Sequence, residues 1–217
     1  WPEPFRHDAN LYAVSFLNPR VGWAVGDRGT ILHTRDGGET WDLQPTPTVG
    51  RLESICFVGG EEGWIVGAKT IPFTHRSRGI VLRTSDAGET WNEDQSLLPG
   101  LRGVHFFNEQ QGVTYGDPSA MYPSGVFCTQ DGGTHWKPLT GQSKGWVHGS
   151  FQSPSQGTLL DRRGNLFEIS NTNITAGPRV SDGPQLAFRL RELPNGRKIA
   201  CGNQGLVSIG DGTSSAW

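Results

Sequence analysis

Much of the usual chemistry is missing from this sequence. It holds one methionine and three cysteines in 217 residues, and Cys56, Cys128 and Cys201 lie far apart with no C-x-x-C pair between them. That spacing gives no zinc or redox motif. Each cysteine sits in an apolar, strand-like run, so all three are expected as buried, reduced thiols. No apolar run reaches the roughly 18 residues that a membrane-crossing helix needs, so direct membrane insertion is not expected. The formal net charge of −2 leaves no basic stripe to displace counterions, which argues against nucleic acid as a partner. There is no Gly-x-Ser-x-Gly elbow, phosphate-binding loop or His-Glu-x-x-His pair, and no cofactor is expected. No stretch shows helical periodicity. A secretory leader is not evident, and because the chain opens on Trp1 it reads as cut from something longer.

What is present is turns, tryptophan and repetition. The 31 glycines and 14 prolines fall between short apolar runs, and eight tryptophans point to a recurring packing element. The segment Thr34-Arg-Asp36-Gly-Gly38-Glu-Thr40-Trp41 returns as Thr84-Ser-Asp86-Ala-Gly88-Glu-Thr90-Trp91. It returns again as Thr129-Gln-Asp131-Gly-Gly133-Thr-His135-Trp136. The three closing tryptophans stand 50 and 45 residues apart, a period that belongs to propeller blades.

The flanking runs keep step. Leu11–Phe16 parallels Leu52–Phe57, Leu101–Phe106 and Trp146–Phe151. Gly22-Trp-Ala-Val-Gly26 parallels Gly63–Gly67, Gly112–Gly116, Gly157–Asp161 and Lys198–Gly202. A third run, Thr30–Thr34, has counterparts at Ile80–Thr84, Val126–Thr129, Asn165–Ile169 and Leu206–Ile209. Gly29, Gly164 and Gly205 close the hairpins between the second and third runs, where a positive φ is expected. The prediction is an all-β chain: a β-propeller of about five four-stranded blades carrying Asp-box (BNR/sialidase-like) repeats. The repeats fall roughly at 1–41, 42–91, 92–136, 137–180 and 181–217. The fourth has lost its box, the fifth ends in an irregular one at Asp211–Trp217, and Trp1 reads as the tryptophan closing a preceding box. A piece of a larger ring is the alternative to a five-bladed one.

The box invites a catalytic reading because it carries an aspartate and hydroxyls. Its repetition argues instead for architecture, since one active site needs no copies. Aspartate accepts backbone N–H groups in a tight turn, and tryptophan fills space between sheets.

The span Gly22–Trp41 resembles repeats of the photosystem II assembly factor family known as Ycf48 (HCF136 in plants), shared with bacterial BNR-repeat proteins. The likeness is close over blades one to three and looser over the last two. The resemblance implies a non-enzymatic, exported propeller, periplasmic, lumenal or extracellular, that binds a client protein or complex partly through surface arginines. That family has a seven-bladed ring, so five repeats depart from it. In such a fold the innermost strands line the channel, and the loops between second and third strands open on the face opposite the boxes. Two of these are long, Ala68–Arg78 and Asp117–Ser124, and long loops on a rigid scaffold are where binding concentrates. The candidate binding residues are Arg51, Lys69, Arg76, Arg78, Arg102, Tyr122 and Arg163. Arg28, Arg162, His75 and Met121 are expected nearby, and guanidinium forks suit carboxylates.

Two rival readings stand beside this one, the first a sialidase-like glycoside hydrolase or carbohydrate-binding propeller. Sialidases share the repeat, and their chemistry needs an arginine cluster with a glutamate-activated tyrosine. Tyr12 with Glu53 is the one pair here placed to imitate it, and an Arg-Ile-Pro opening is missing. The other rival is a purely architectural module of a larger secreted protein. His105 and His148, on neighbouring inner strands, are expected as a channel-lining pair without the third ligand that a zinc site needs.

Overall fold

In the computed structural model of the chain, residues 9–74, 76–143, 145–180, 185–193 and 195–210 are described, along with the backbone but not the side chain of Arg76. Trp1, His75 and the terminal box at 211–217 lie outside them. The described residues form five antiparallel sheets in sequence order. The first contains β1 (Leu11–Phe16), β2 (Gly22–Gly26), β3 (Ile31–Thr34) and β4 (Asp42–Leu43). The second contains β5 (Arg51–Val58), β6 (Glu62–Ile71), β7 (Arg76–Thr84) and β8 (Asn92–Glu93). The third contains β9 (Leu101–Phe106), β10 (Gly112–Gly116), β11 (Val126–Thr129) and β12 (Lys137–Pro138). The fourth contains β13 (Trp146–Ser153), β14 (Gln156–Asp161), β15 (Asn165–Ser170) and β16 (Asn173–Arg179). The fifth shows β17 (Ala187–Glu192), β18 (Lys198–Gly202) and β19 (Val207–Gly210) among the described residues. Each is an up-and-down meander, and together they are the five blades of a β-propeller.

The boxes are turns held by their own side chains. Asp36 accepts the Thr34 hydroxyl at 2.7 Å and the Thr40 amide at 2.9 Å, while the Thr34 oxygen accepts the Gly38 amide at 2.9 Å. Asp86 and Asp131 repeat the pattern, with the His135 ring replacing the second threonine at 2.8 Å from Asp131. These hydrogen bonds stabilise the carboxylates and hold Asp86 and Asp131 down at about 2. Blade four, lacking a box, closes instead through a short turn in which Asn171 takes φ 57°.

The Gly-x-x-x-Gly strand has a steric cause at both ends. A Cβ at Gly22, Gly63, Gly112 or Gly157 would meet the ring of Phe16, Phe57, Phe106 or Phe151 at 2.6–2.7 Å. A Cβ at Gly26, Gly67, Gly116 or Gly202 would meet the carbonyl of Asn10, Arg51, Gly100 or Leu186 at 1.8–2.1 Å. The tryptophan between them plugs the next blade. Trp64 is fully buried, stacks on Phe106 at 3.5 Å and donates Nε1–H to the Gly132 carbonyl at 2.9 Å. Trp23 lies against Phe57 and beneath Gly88, with its buried indole N–H left unpaired.

Two expectations need correction. The segment Ala68–Arg78 is mostly ladder, not loop: β6 and β7 continue in register through Lys69↔Arg78 to Ile71↔Arg76, with a turn beginning at Pro72. Thr70 and Ile71 favour that extension, and pairing satisfies backbone groups that a loop would leave to water. Cys201 is exposed, and Cys56 and Cys128 are only half-buried; all three are free thiols. Cys201 pairs with Val207, 68% exposed, whose counterpart in blade one, Ile31, is fully buried under blade two. No sheet covers that face of blade five among the described residues. The leading face of blade one is likewise open: Leu11 is 48% and Val14 60% exposed, while Leu52, Leu101 and Trp146 are at 0%.

Candidate functional site

The inner strands β1, β5, β9, β13 and β17 surround a cavity of about 530 Å³. Its lining shows a rule that the sequence hides. Every inner strand carries a register break near its start, leaving Tyr12, Glu53, Arg102, Val147 and Phe188 without a Cα partner. All five line the cavity. A bulge re-aims the extra side chain, and here it turns one residue of each blade toward the channel. Gly26, Gly67, Gly116 and Gly202 let the inner strand pass closely enough for this; blade four has Asp161 in that place. Asp161 is fully buried and is satisfied by the Arg163 and Asn165 amides and the Asn165 side chain.

Around the bulged residues a charge network assembles. Arg51 lies over the Tyr12 ring at 3.9 Å and reaches Glu53 at 3.0 Å. Arg102 stands 3.7 Å from Glu53 and 3.3 Å from Asp117, and Arg162 stands 3.4 Å from the same Asp117 oxygen. Three blades thus supply three guanidiniums around two carboxylates, with Arg189 of blade five on the cavity wall. Burial pushes the Glu53 carboxyl up, and Arg51 and Arg102 act against that rise. Such pre-paired forks keep donors free for a further anion.

Of the predicted binding residues, the structure brings Arg51 and Arg102 together. Lys69 is paired with Glu93 at 3.1 Å. Arg78 and Tyr122 line a separate groove of about 640 Å³ between blades two and three. Arg163 is exposed in the turn after β14. Asp117 and Arg189 were not singled out by sequence reasoning, and Arg162 only as a neighbour. The charge-bearing turn Asp161-Arg-Arg163, read beside Asp117, was the available signal.

Tyr12 does not form the sialidase-like pair. Its hydroxyl donates to Asp27 at 2.9 Å, and burial together with that acceptor raises its pKa, which makes it a poorer nucleophile. His105 stands edge-on to Phe107. His148 accepts the Leu190 amide on Nδ1 at 3.3 Å, and no cluster of three metal-ligating side chains occurs among the described residues.

Burial, with Arg189 nearby, holds His148 down at about 4. A histidine kept neutral in the fold contributes stability above its unfolded pKa of about 6.5, and that stability is lost as pH falls toward the folded value. Stability is therefore expected to drop between about pH 6.5 and 4, by at most about 3 kcal/mol from this group. His148→Gln keeps an acceptor without the titration. Urea midpoints for both proteins across that range should show a shallower slope in the variant; parallel slopes would remove His148 from the account.

Residues 4–176 match the family described as Photosynthesis system II assembly factor YCF48. The chain is 27% identical over 212 residues to the photosystem II assembly protein Ycf48 of Thermosynechococcus vestitus, a match spanning 95% of this chain and 58% of that protein. A solved structure of YCF48 bound to a D1 peptide superposes with a TM-score of 0.72 at 25% identity, over 95% of this chain and 64% of the other. YCF48 from Cyanidioschyzon merolae gives a TM-score of 0.68 at 19% identity, over 95% and 68%, a likeness of fold. The chain thus spans well under two thirds of the Thermosynechococcus relative. The match over residues 4–176, resting on the same repeats that build these blades, shows that this chain belongs to the Ycf48 family of photosystem II assembly factors.

Proposed function

We propose that this protein is a non-catalytic scaffold that binds a segment of a client protein at the channel mouth through a carboxylate. The observation that carries the reading is the convergence of Arg51, Arg102 and Arg162 on Glu53 and Asp117. Arg78 and Tyr122 extend the surface on one side, and Lys69, Arg76 and Arg163 are proposed as further contacts to the client. The solved relative that holds a D1 peptide makes a peptide client the natural first probe. We further propose that the protein is exported, to the periplasm, a lumen or outside the cell, and that the chain is one propeller domain; kinship with the family supports both readings.

Fluorescence anisotropy with a synthetic D1 peptide tests the site. Arg51→Ala/Arg102→Ala is expected to weaken binding at least about tenfold, by analogy with other charge-assisted contacts. Raising the salt should weaken wild-type binding and have less effect on the variant. Equal affinity of the two proteins would remove the arginines from the site.

A further inference from the structure

Beside the channel mouth lies a second feature that the arginine cluster does not explain. The groove between blades two and three is lined by Ile71, Arg78, Leu97, Met121 and Tyr122, with Asp117 also in its wall. Leu97 is 80%, Met121 76% and Ile71 40% exposed, an apolar surface with a polar rim of the kind that marks an interaction site. Its volume, about 640 Å³, lies within the range of ligand-binding clefts.

The groove is also preformed. The Ser119 amide donates to the Tyr122 carbonyl at 3.1 Å, the Tyr122 amide to the Ser119 hydroxyl at 3.0 Å, and the Ser143 amide to the Pro123 carbonyl at 2.8 Å. The Tyr122 ring stands edge-on to Phe127 at 5.1 Å. The turn that displays Met121 is therefore braced from both sides, and the thioether at its tip is the most adaptable of apolar side chains. Nε of Arg78, in the groove wall, is buried without a hydrogen-bond partner. A buried donor left unpaired is costly, and an incoming acceptor would relieve it.

Asp117 joins the two features. It holds Arg102 and Arg162 on the channel side and accepts the Ser77 hydroxyl at 3.4 Å on the groove side. We infer that the groove reads the client segment: an extended peptide places apolar side chains against Leu97, Met121 and Ile71, gives a backbone carbonyl to Arg78, and delivers a following carboxylate to the arginine cluster. The partner recognised is thus a peptide with apolar residues just before an acidic group or a C-terminal carboxylate. The inference rests on the client-binding reading above and adds its sequence preference.

Two synthetic peptides of equal length and charge test it, both ending in a free carboxylate, one with two leucines upstream and the other with two serines. Wild type is expected to bind the leucine peptide about tenfold more tightly, the scale of partial burial of such side chains. Leu97→Ser/Met121→Ser should lose that preference while still binding both peptides at the serine level. The two residues are exposed, so an unchanged thermal midpoint is expected and confirms that the variant is folded. Arg51→Ala/Arg102→Ala should weaken both peptides alike and keep the ratio. Binding of both peptides by wild type without preference, or a preference surviving in the groove variant, overturns the groove and leaves the arginine site standing. Failure of wild type to bind either peptide overturns both.

Discussion

Trp64→Ala is expected to destabilise the protein by about 3–5 kcal/mol, the range for removing a fully enclosed large aromatic side chain. The side chain is at 0% exposure, sandwiched on Phe106, with Arg83 beyond its ring and its indole N–H satisfied by Gly132 of the next blade. Its loss opens a cavity at the junction of blades two and three and leaves the Gly132 carbonyl unpaired. Trp64→Phe retains an aromatic ring but not the donor, and should fall between wild type and the alanine variant, with a cost of about 1–3 kcal/mol. Urea-induced unfolding followed by far-ultraviolet circular dichroism reads both. A shift under 1 kcal/mol for the alanine variant would mean that the blades are held together by something other than these plugs.

Gly67→Ala is the second large effect, and it reaches from stability into binding. A Cβ there would lie 2.0 Å from the Arg51 carbonyl oxygen and 2.9 Å from the Leu52 Cα. Backbone cannot swing aside as a side chain can, so β5 must shift, at a cost of about 1–3 kcal/mol or more. The displaced residues are Arg51 and the bulged Glu53, so peptide affinity should fall together with stability. Gly177→Ala is the control: its nearest neighbour would be at an ordinary 3.4 Å, and neither property should change by more than a few tenths of a kcal/mol. Retained peptide affinity in a destabilised Gly67→Ala protein would separate the channel mouth from the bulge.

The blades were legible because each element leaves a local mark. Strands announce themselves by β-branched and aromatic residues between glycines, and the box is a turn built from contacts within eight residues, Thr34 to Trp41. The β6–β7 hairpin was misjudged because residues 68–78 mix polar, proline and basic types, and pairing there is decided by the partner strand. Cys201 was misplaced because burial of a strand face depends on the sheet that covers it.

The site was legible only as residue types. Arginines at positions 51 and 102 can be noted in a sequence, but their meeting depends on a bulge, and a bulge has no consistent residue: tyrosine, glutamate, arginine, valine and phenylalanine occupy it in turn. The pairing of Asp117 with Arg102 and Arg162, 15 and 45 residues away, likewise requires blades three and four to be set side by side. The sequence by itself determined the repeat, the blade and the turn chemistry, since these arise from interactions between near neighbours in the chain. Which side chains face the channel, which charges meet at its mouth and which apolar faces stay open were decided by tertiary structure alone, because they depend on how closely the two inner strands of a blade pass and on how one blade is set against the next.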